Sequence, residues 1–296
     1  MLFLVPWFLV SKEEGSGVKH RLISDCREIN KSLQAPHFKM EHWGNFFPFL
    51  KQHMWACKID LKDAYFHLGL DPCLQSLINL KTGQNIYKFL AAPFGLNILP
   101  YLWTQVMKVL QKLWRKRGIL CFIYLDDILI VNLSKKALKT QLQYVLDTLD
   151  KAGLGVNLKK STLEPTQLIT HLGFQINFRA GQLEVPPQKL KSVRKDLGKI
   201  VKYHSLCPRK MAAILGQVRS FLTAIPALRA FTDSMLSFVN NHFGNGWDKE
   251  LPIPQNMKGE LREINQLLQN WKGRSFSVAY SNRHLHSDSS DFAWGA

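Results

Sequence analysis

A pair of aspartates set inside an apolar run constrains this chain more than any other feature. Residues 119–125 and 128–131 are almost wholly apolar, and Asp126-Asp127 stands between them. Two apolar strands separated by so short a polar step read as a tight β-hairpin. A second acidic site has a similar form: residues 57–61 make a short apolar strand with Asp60 near its end. If these strands are neighbours in one sheet, three carboxylates converge at its end. Clustered carboxylates repel unless a cation neutralises them, and an all-oxygen ligand set favours Mg²⁺ or Mn²⁺. Two such ions about 3.5–4 Å apart stabilise the attacking and the leaving oxygen of an in-line phosphoryl displacement. Taken singly, each site reads more readily as a plain turn residue, and it is the strongly apolar setting of the Asp pair that argues otherwise.

The rest of the chain alternates strand and helix patterns before turning helical. Residues 1–10 read as an apolar strand interrupted by Pro6, too short for a membrane span of about 20 residues and lacking a basic leader or a cleavage site. Residues 8–10 and 21–24 flank a turn at 12–17. Residues 86–90 alternate as a half-buried strand, with Tyr87 and Phe89 on one side. Pro100 opens a helix whose apolar positions are Leu102, Val106, Val109, Leu110 and Leu113, closed by Arg115-Lys116-Arg117 and Gly118. Leu138, Leu142, Val145, Leu146 and Leu149 mark another helix, stopped by Gly153. Pro186-Pro187 reads as a domain boundary, and only helical patterns follow it. Over 188–203 the apolar stripe is Leu190, Val193, Leu197, Ile200 and Val201, while Lys191, Lys195, Lys199 and Lys202 share one face.

Composition names a partner class. The net charge is +17, and residues 101–220 carry 21 basic against 7 acidic side chains, +14 of that excess. A localised basic excess draws polyanions and releases their counterions, so nucleic acid is the leading partner, and on charge alone a soluble basic protein with no specific partner fits as well; no segment suggests a membrane. The Lys191 row would track a phosphate backbone or simply face water. Five cysteines, none in a CxxC pair, exclude a zinc ribbon and a disulfide framework and read as buried thiols. An intracellular protein, cytoplasmic or nuclear, is expected rather than a secreted one.

These residues carry a family resemblance. Tyr124-Leu125-Asp126-Asp127 resembles the YxDD box of reverse transcriptases, and Asp60-Leu61-Lys62-Asp63-Ala64-Tyr65-Phe66 their first catalytic box. Ala92-Pro93-Phe94-Gly95-Leu96-Asn97 resembles the box between them, and residues 19–31 the fingers signature. Residues 153–161 and His171-Leu172-Gly173-Phe174 resemble the two boxes that close the palm. The six boxes stand in the family's order over about residues 1–180. The look is that of retrotransposon enzymes of DIRS type, with gypsy type next. The fold implied is α+β, a right-hand polymerase: fingers and palm over 1–185, the palm an antiparallel sheet on helices. A helical thumb and connection would cover 186–275, and a truncated start of an RNase H-like domain 276–296.

The resemblance implies roles. Asp60 and Asp126 would bind two Mg²⁺ ions, or Mn²⁺, with Asp127 in support and the Leu61 carbonyl as a further ligand. Asp63 and Ala64 would offer backbone N–H groups to the dNTP triphosphate, and Lys12 and Arg21 would grip it. Tyr65 would lie under the sugar and exclude a 2′-hydroxyl. Phe94 would line the nucleotide pocket. Lys160, beside Lys159, would protonate the departing pyrophosphate. Lys191, Lys195, Lys199 and Lys202 would meet the primer–template duplex, and Asp288 would be the first RNase H metal ligand. Three departures stand out: Leu99, where a small residue usually precedes the proline and a bulky one would disturb the helix start, Trp103 for a usual Phe, and Ser289-Ser290 for a usual Ala-Ser. The activity implied is RNA-directed DNA polymerisation on an RNA or DNA template. The competing readings are a catalytically dead nucleic-acid-binding remnant of a retroelement polyprotein, and RNase H activity confined to a full-length parent.

Overall fold

The computed structural model describes residues 3–14, 17–241, 246–271, 273–277, 288–289 and 294–295. The chain divides into two compact units, residues 1–180 with 185–190, and residues 181–184 with 191–296.

The first unit opens with β1 (Phe3–Leu4) and β2 (Trp7–Glu14), two strands either side of Pro6, a residue that donates no ladder hydrogen bond. β2 pairs with β3 (Gly17–Ser24) in a long antiparallel hairpin, from Trp7↔Ser24 to Glu14↔Gly17. The short helices α1 (Arg27–Ser32) and α2 (Trp43–Phe46) follow, then β4 (Trp55–Asp60). A 3₁₀ turn at Ala64–His67 leads to α3 (Pro72–Leu77), β5 (Ile78–Thr82) and β6 (Asn85–Lys88). β5 lies between β1, parallel to it, and β6, antiparallel.

Next come α4 (Leu99–Lys116), β7 (Leu120–Tyr124), β8 (Asp127–Asn132), α5 (Lys135–Lys151) and β9 (Thr162–Thr166). They build the central sheet in the order β7-β8-β4-β9, antiparallel throughout. α4 and α5 cover one face. Cys57 and Ile59 of β4, Cys121 and Ile123 of β7, and Ile128 and Ile130 of β8 point into a core with Trp103, Met107, Trp114, Leu138, Val145 and Leu149. This is the period-2 rule at work: alternate residues of each strand face the helices. On the other face Phe122 stacks on Phe46 with ring centroids 4.4 Å apart, and Trp43 packs on Phe46 and Phe174. The hairpin β10 (Leu168–His171) and β11 (Phe174–Asn177) supplies Phe174. A fully buried central strand needs both coverings, which is why its sequence is apolar without alternation.

In the second unit β12 (Gln182–Glu184) is followed by α6 (Pro187–Ile200), whose first residues belong to the first unit. Then come β13 (Ser205–Leu206), α7 (Pro208–Ser220), α8 (Asp233–Asn241), β14 (Leu251–Pro252), α9 (Gln255–Asn270) and β15 (Arg274–Ser275). Met211, Val218, Met235, Met257, Leu261 and Ile264 are buried along these helices, and Leu228 in the 3₁₀ turn Pro226–Phe231. The Trp271 indole N–H donates to the Ala224 carbonyl at 2.9 Å. The last strands are β16 (Asp288–Ser289) and β17 (Trp294–Gly295). Among the described residues no helix is long and apolar enough to cross a membrane.

Several expectations change. α4 buries Leu99, Trp103, Met107, Gln111 and Trp114; of the expected stripe, Leu102, Val106, Val109 and Leu113 are exposed, and Leu110 packs partly buried against the core. The helix has two apolar faces, and the one holding both tryptophans has more area to remove from water. Leu99 does not disturb the helix start: it begins α4 and is buried with Val5, Cys26, Ile78, Ala92 and Leu96. β6 is an edge strand exposed at all four positions, with Tyr87 keeping 54 % of its surface, while Phe89, just beyond it, is partly buried against that same core cluster. The second unit is not purely helical, since β13 pairs with β14 and β12 with β15. Four thiols are buried, but Cys73, in the first turn of α3, is exposed.

Candidate active site

The two acidic sites meet as backbone neighbours. β4 and β8 run antiparallel with Asp60 opposite Asp127, and Tyr124 opposite Asp127 closes the β7–β8 hairpin. The turn residues are therefore Leu125-Asp126, not the aspartate pair, and Asp127 already belongs to β8. Leu125 has φ +52°, a left-handed conformation that side chains other than glycine rarely adopt. Two hydrogen bonds hold it there. The Trp103 indole donates to the Leu125 carbonyl at 3.0 Å, and the Leu61 backbone N–H donates to the Asp126 carbonyl at 2.9 Å. Replacing a usual Phe by Trp103 thus supplies a donor beneath the turn.

The segment after α5 straps the end of β4. Lys62 N–H donates to Gly155, Asn157 N–H to Asp60, and Leu61 bridges Val156. The Asp60 N–H donates to Ser161 Oγ at 3.0 Å, and that hydroxyl donates to the Asn157 carbonyl at 2.8 Å. His67 adds a brace, accepting from Gly155 N–H at Nε2 with Nδ1 near the Ala64 carbonyl. That arrangement fits the Nδ1-protonated tautomer.

The electrostatics of the three carboxylates differ. Burial pushes the Asp126 carboxyl up, the charges of Asp127 and Asp60 add to the rise, and Lys160 opposes it. The ammonium that reaches Asp126 is thus that of Lys160, exposed in the turn after Asn157. Asp127 Oδ1 is shut from solvent, with no hydrogen-bond donor in bonding geometry. The Lys58 ammonium lies 2.8 Å from it as an ion pair. As the side chains lie, no three His, Cys, Asp or Glu groups among the described residues gather closely enough to hold one metal ion. The three carboxylates meet electrostatically, since the charges of Asp127 and Asp60 both act on Asp126, and Asp127 is in addition ion-paired with Lys58. Asp60 and Asp126 are hard oxygen donors, and Asp126 has its negative charge opposed by its surroundings, so this pair fits a divalent cation. Reverse transcriptases generally depend on divalent metal ions.

The aromatic wall stands beside the carboxylates. Tyr65, in the 3₁₀ turn, is raised in pKa by burial and then by Asp126. Its ring lies 5.1 Å from Phe94 and 6.3 Å from Trp103, and Phe66 meets Phe94 edge-on at 5.0 Å. Asp63 has φ +53° and caps the turn without a side-chain hydrogen bond, while Ala64 is buried. Phe94 is held through its neighbours: at Gly95, with φ +115°, a Cβ would meet the Ser24 carbonyl at 2.8 Å. Asn30 clamps the same segment, donating to the Gly95 carbonyl and accepting from Asn97 N–H.

The remaining expected residues lie elsewhere. Arg21 is exposed on β3, opposite Val10. Lys12 pairs with Lys19 through the backbone, and its side chain is outside the described residues. Lys191, Lys195, Lys199 and Lys202 are exposed in the second unit. Asp288 falls in β16, with its side chain and most of 276–296 outside the described residues. Sequence reasoning missed Lys58, Ser161 and Asn30. It also missed Glu41, which accepts from Gln111, Arg115 and the Ile123 N–H and so ties α4 to β7. Of these only Lys58 had a sequence cue: two residues before Asp60, it shares that strand face.

Comparison with known proteins places this geometry. The chain matches the family model of "Reverse transcriptase (RNA-dependent DNA polymerase)" over residues 11–176. It is 27% identical over 247 residues to Protein P of duck hepatitis B virus (isolate brown Shanghai duck S5), covering 81% of this chain and 31% of that protein. It is 28% identical over 137 residues to the retrovirus-related Pol polyprotein from transposon 412 of Drosophila melanogaster, covering 44% and 11%. The fold resembles a foamy viral protease-reverse transcriptase solved with double-stranded DNA, with TM-score 0.73, 20% identity and coverage of 92% of this chain and 44% of that one. A second foamy viral structure, with an RNA/DNA hybrid, gives TM-score 0.70 at 19% identity over 92% of this chain and 34% of that one. The chain thus spans about a third of the length of the viral relative and less than half of the solved chains. With the family model covering more than half of its residues, and with paired aspartates at the end of an antiparallel sheet, the chain belongs to the reverse transcriptase family.

Proposed function

We propose that the chain is an RNA-directed DNA polymerase that joins a dNTP to a primer 3′-hydroxyl. The observation that carries this reading is the register of Asp60 against Asp127, with Asp126 on the adjoining turn. Asp60 and Asp126, with the Leu61 carbonyl, would hold two Mg²⁺ ions, which when bound lower the charge barrier at the reacting phosphate. The protein's own part is positioning. The Ser161, Asn157 and Leu61 hydrogen bonds fix the end of β4, and the Trp103 bond fixes the turn. Tyr65 packs on Phe94 with the rings tilted by 49° and would lie under the deoxyribose, where it would exclude a 2′-hydroxyl. Asp63 and Ala64 backbone N–H groups, with Arg21 and Lys12, would meet the triphosphate, whose negative charge grows during transfer. Lys160, close enough to act on Asp126, would give a proton to the pyrophosphate oxygen.

Residues 1–185 then serve as fingers and palm, and 186–275 as thumb and connection, with 276–296 starting an RNase H-like domain. The primer–template duplex would be met through phosphates by the basic middle segment, including Lys191, Lys195, Lys199 and Lys202. Binding of that kind weakens steeply as salt rises. The test is primer extension on poly(rA)·oligo(dT) with dTTP and Mg²⁺ or Mn²⁺, beside an Asp126→Asn/Asp127→Asn variant. Metal-dependent extension that disappears in the variant supports the reading. Duplex binding without extension, equal in both proteins, identifies a catalytically dead binding remnant and rejects it.

A further inference from the structure

Asp127, the aspartate of the pair that belongs to β8, has a cation of the protein's own beside it. β4 places Lys58 and Asp60 on one face, and β8 sets Asp127 opposite Asp60 and Leu129 opposite Lys58. Lys58 is therefore diagonal to Asp127, within reach of a long side chain. The pair is mostly enclosed, with side-chain exposures of 19% for Lys58 and 22% for Asp127, and its 2.8 Å separation is that of a direct contact. A lysine ammonium on a central strand is seldom buried without a charge to meet. The other titratable group whose charge environment includes both is His171, across the sheet face on β10, and burial keeps it uncharged. Lys58 is thus the neutralising partner of Asp127 among the described residues.

We propose that Lys58 is a positioning residue that withholds Asp127 from the metal ions, leaving Asp60 and Asp126 as the carboxylate pair that binds them. The inference rests on the metal-binding reading of this site. Removing the Lys58 charge frees a third carboxylate beside two others, adding a negative charge that cations feel strongly at short range. It follows that losing Lys58 tightens metal binding while disturbing the carboxylate geometry.

The experiment is titration of the full chain with Mn²⁺ alone, followed by the loss of the free-ion electron paramagnetic resonance signal. Asp126→Asn is the control for the site: weakening of about tenfold or more is expected, since a ligand charge is lost. If Mn²⁺ affinity is unchanged in Asp126→Asn, the metal-binding reading itself fails. With that control in place, Lys58→Met is expected to tighten Mn²⁺ about fivefold to tenfold, and Lys58→Arg to restore the parent affinity. The charge-neutral double variant Lys58→Met/Asp127→Asn is expected to bind Mn²⁺ within about twofold of the parent, because both charges of the pair leave together and no metal ligand is lost. Unchanged affinity in Lys58→Met, or weakening in the double variant as large as in Asp126→Asn, overturns the proposal. Should Lys58→Met alone not fold, the double variant, which leaves no unpaired charge, decides by the same limits.

Discussion

Two antiparallel hairpins in the first unit both carry apolar runs, residues 7–10 in one and 128–131 in the other, in opposite surroundings. In β7–β8 the strands are covered twice, by α4 and α5 on one face and by Phe46 with its neighbours on the other. In β2–β3, longer by several pairs, Phe8, Leu9, Val10 and Leu22 are exposed, Phe8 at 54 %. Hydrophobicity alone does not decide burial; what the rest of the chain lays over a strand does. Asp126 and Asp127, proposed as part of the metal site, sit on the covered hairpin, and Arg21, proposed to meet the triphosphate, sits on the exposed one.

The comparison can be broken at several strengths. The largest effect is on chemistry: Asp126→Asn should lower the rate of nucleotide incorporation by about a thousandfold, about 4 kcal/mol of barrier, with the melting temperature kept. Single-turnover extension with a parallel melt checks it. Next is packing. Ile128→Ala in the buried hairpin should destabilise by about 2–5 kcal/mol, whereas Val10→Ala in the exposed one should stay within about 0.5 kcal/mol. Thermal melts of both variants test the contrast, and equal shifts would erase it.

Acid probes the covering layer. His171 is buried against Trp43 and Phe46, and burial lowers its pKa from 6.5 to about 4, with Asp127 opposing and Lys58 assisting. The unfolded chain therefore takes up this proton first. Stability is complete above pH 6.5 and falls as pH drops toward 4, by about 3 kcal/mol for this residue. His171→Phe should flatten that part of the stability-against-pH curve, read by melts across the window. The smallest expected effect is at Ser161. Ser161→Ala strips the Asp60 N–H of its acceptor and should cost about 1 kcal/mol, with a small drop in incorporation rate.

The palm was legible because its strands carry their own period. Residues 57–61, 119–125 and 128–131 read as strands, and Leu138, Leu142, Val145 and Leu149 as a buried helix face, since local pattern and final burial agree there. α4 was misread because two apolar stripes share the helix, and only the sheet beneath it selects Trp103 and Trp114. The aspartates could be picked out from their apolar setting. The residues that hold them could not. Ser161 lies 101 positions from Asp60, and Glu41 lies 82 from Ile123, so those bonds exist only once the chain has folded. Lys58 looked like one more strand residue until β8 set Asp127 on its diagonal.

The most direct measurement of the central claim is incorporation of a single dTTP on poly(rA)·oligo(dT) by the parent, Asp126→Asn and Arg21→Ala, with duplex affinity measured for each. The expected result is that Asp126→Asn loses turnover at unchanged duplex affinity, while Arg21→Ala turns over at high dTTP with a raised KM. Equal incorporation by the parent and Asp126→Asn would contradict a carboxylate site on the buried hairpin.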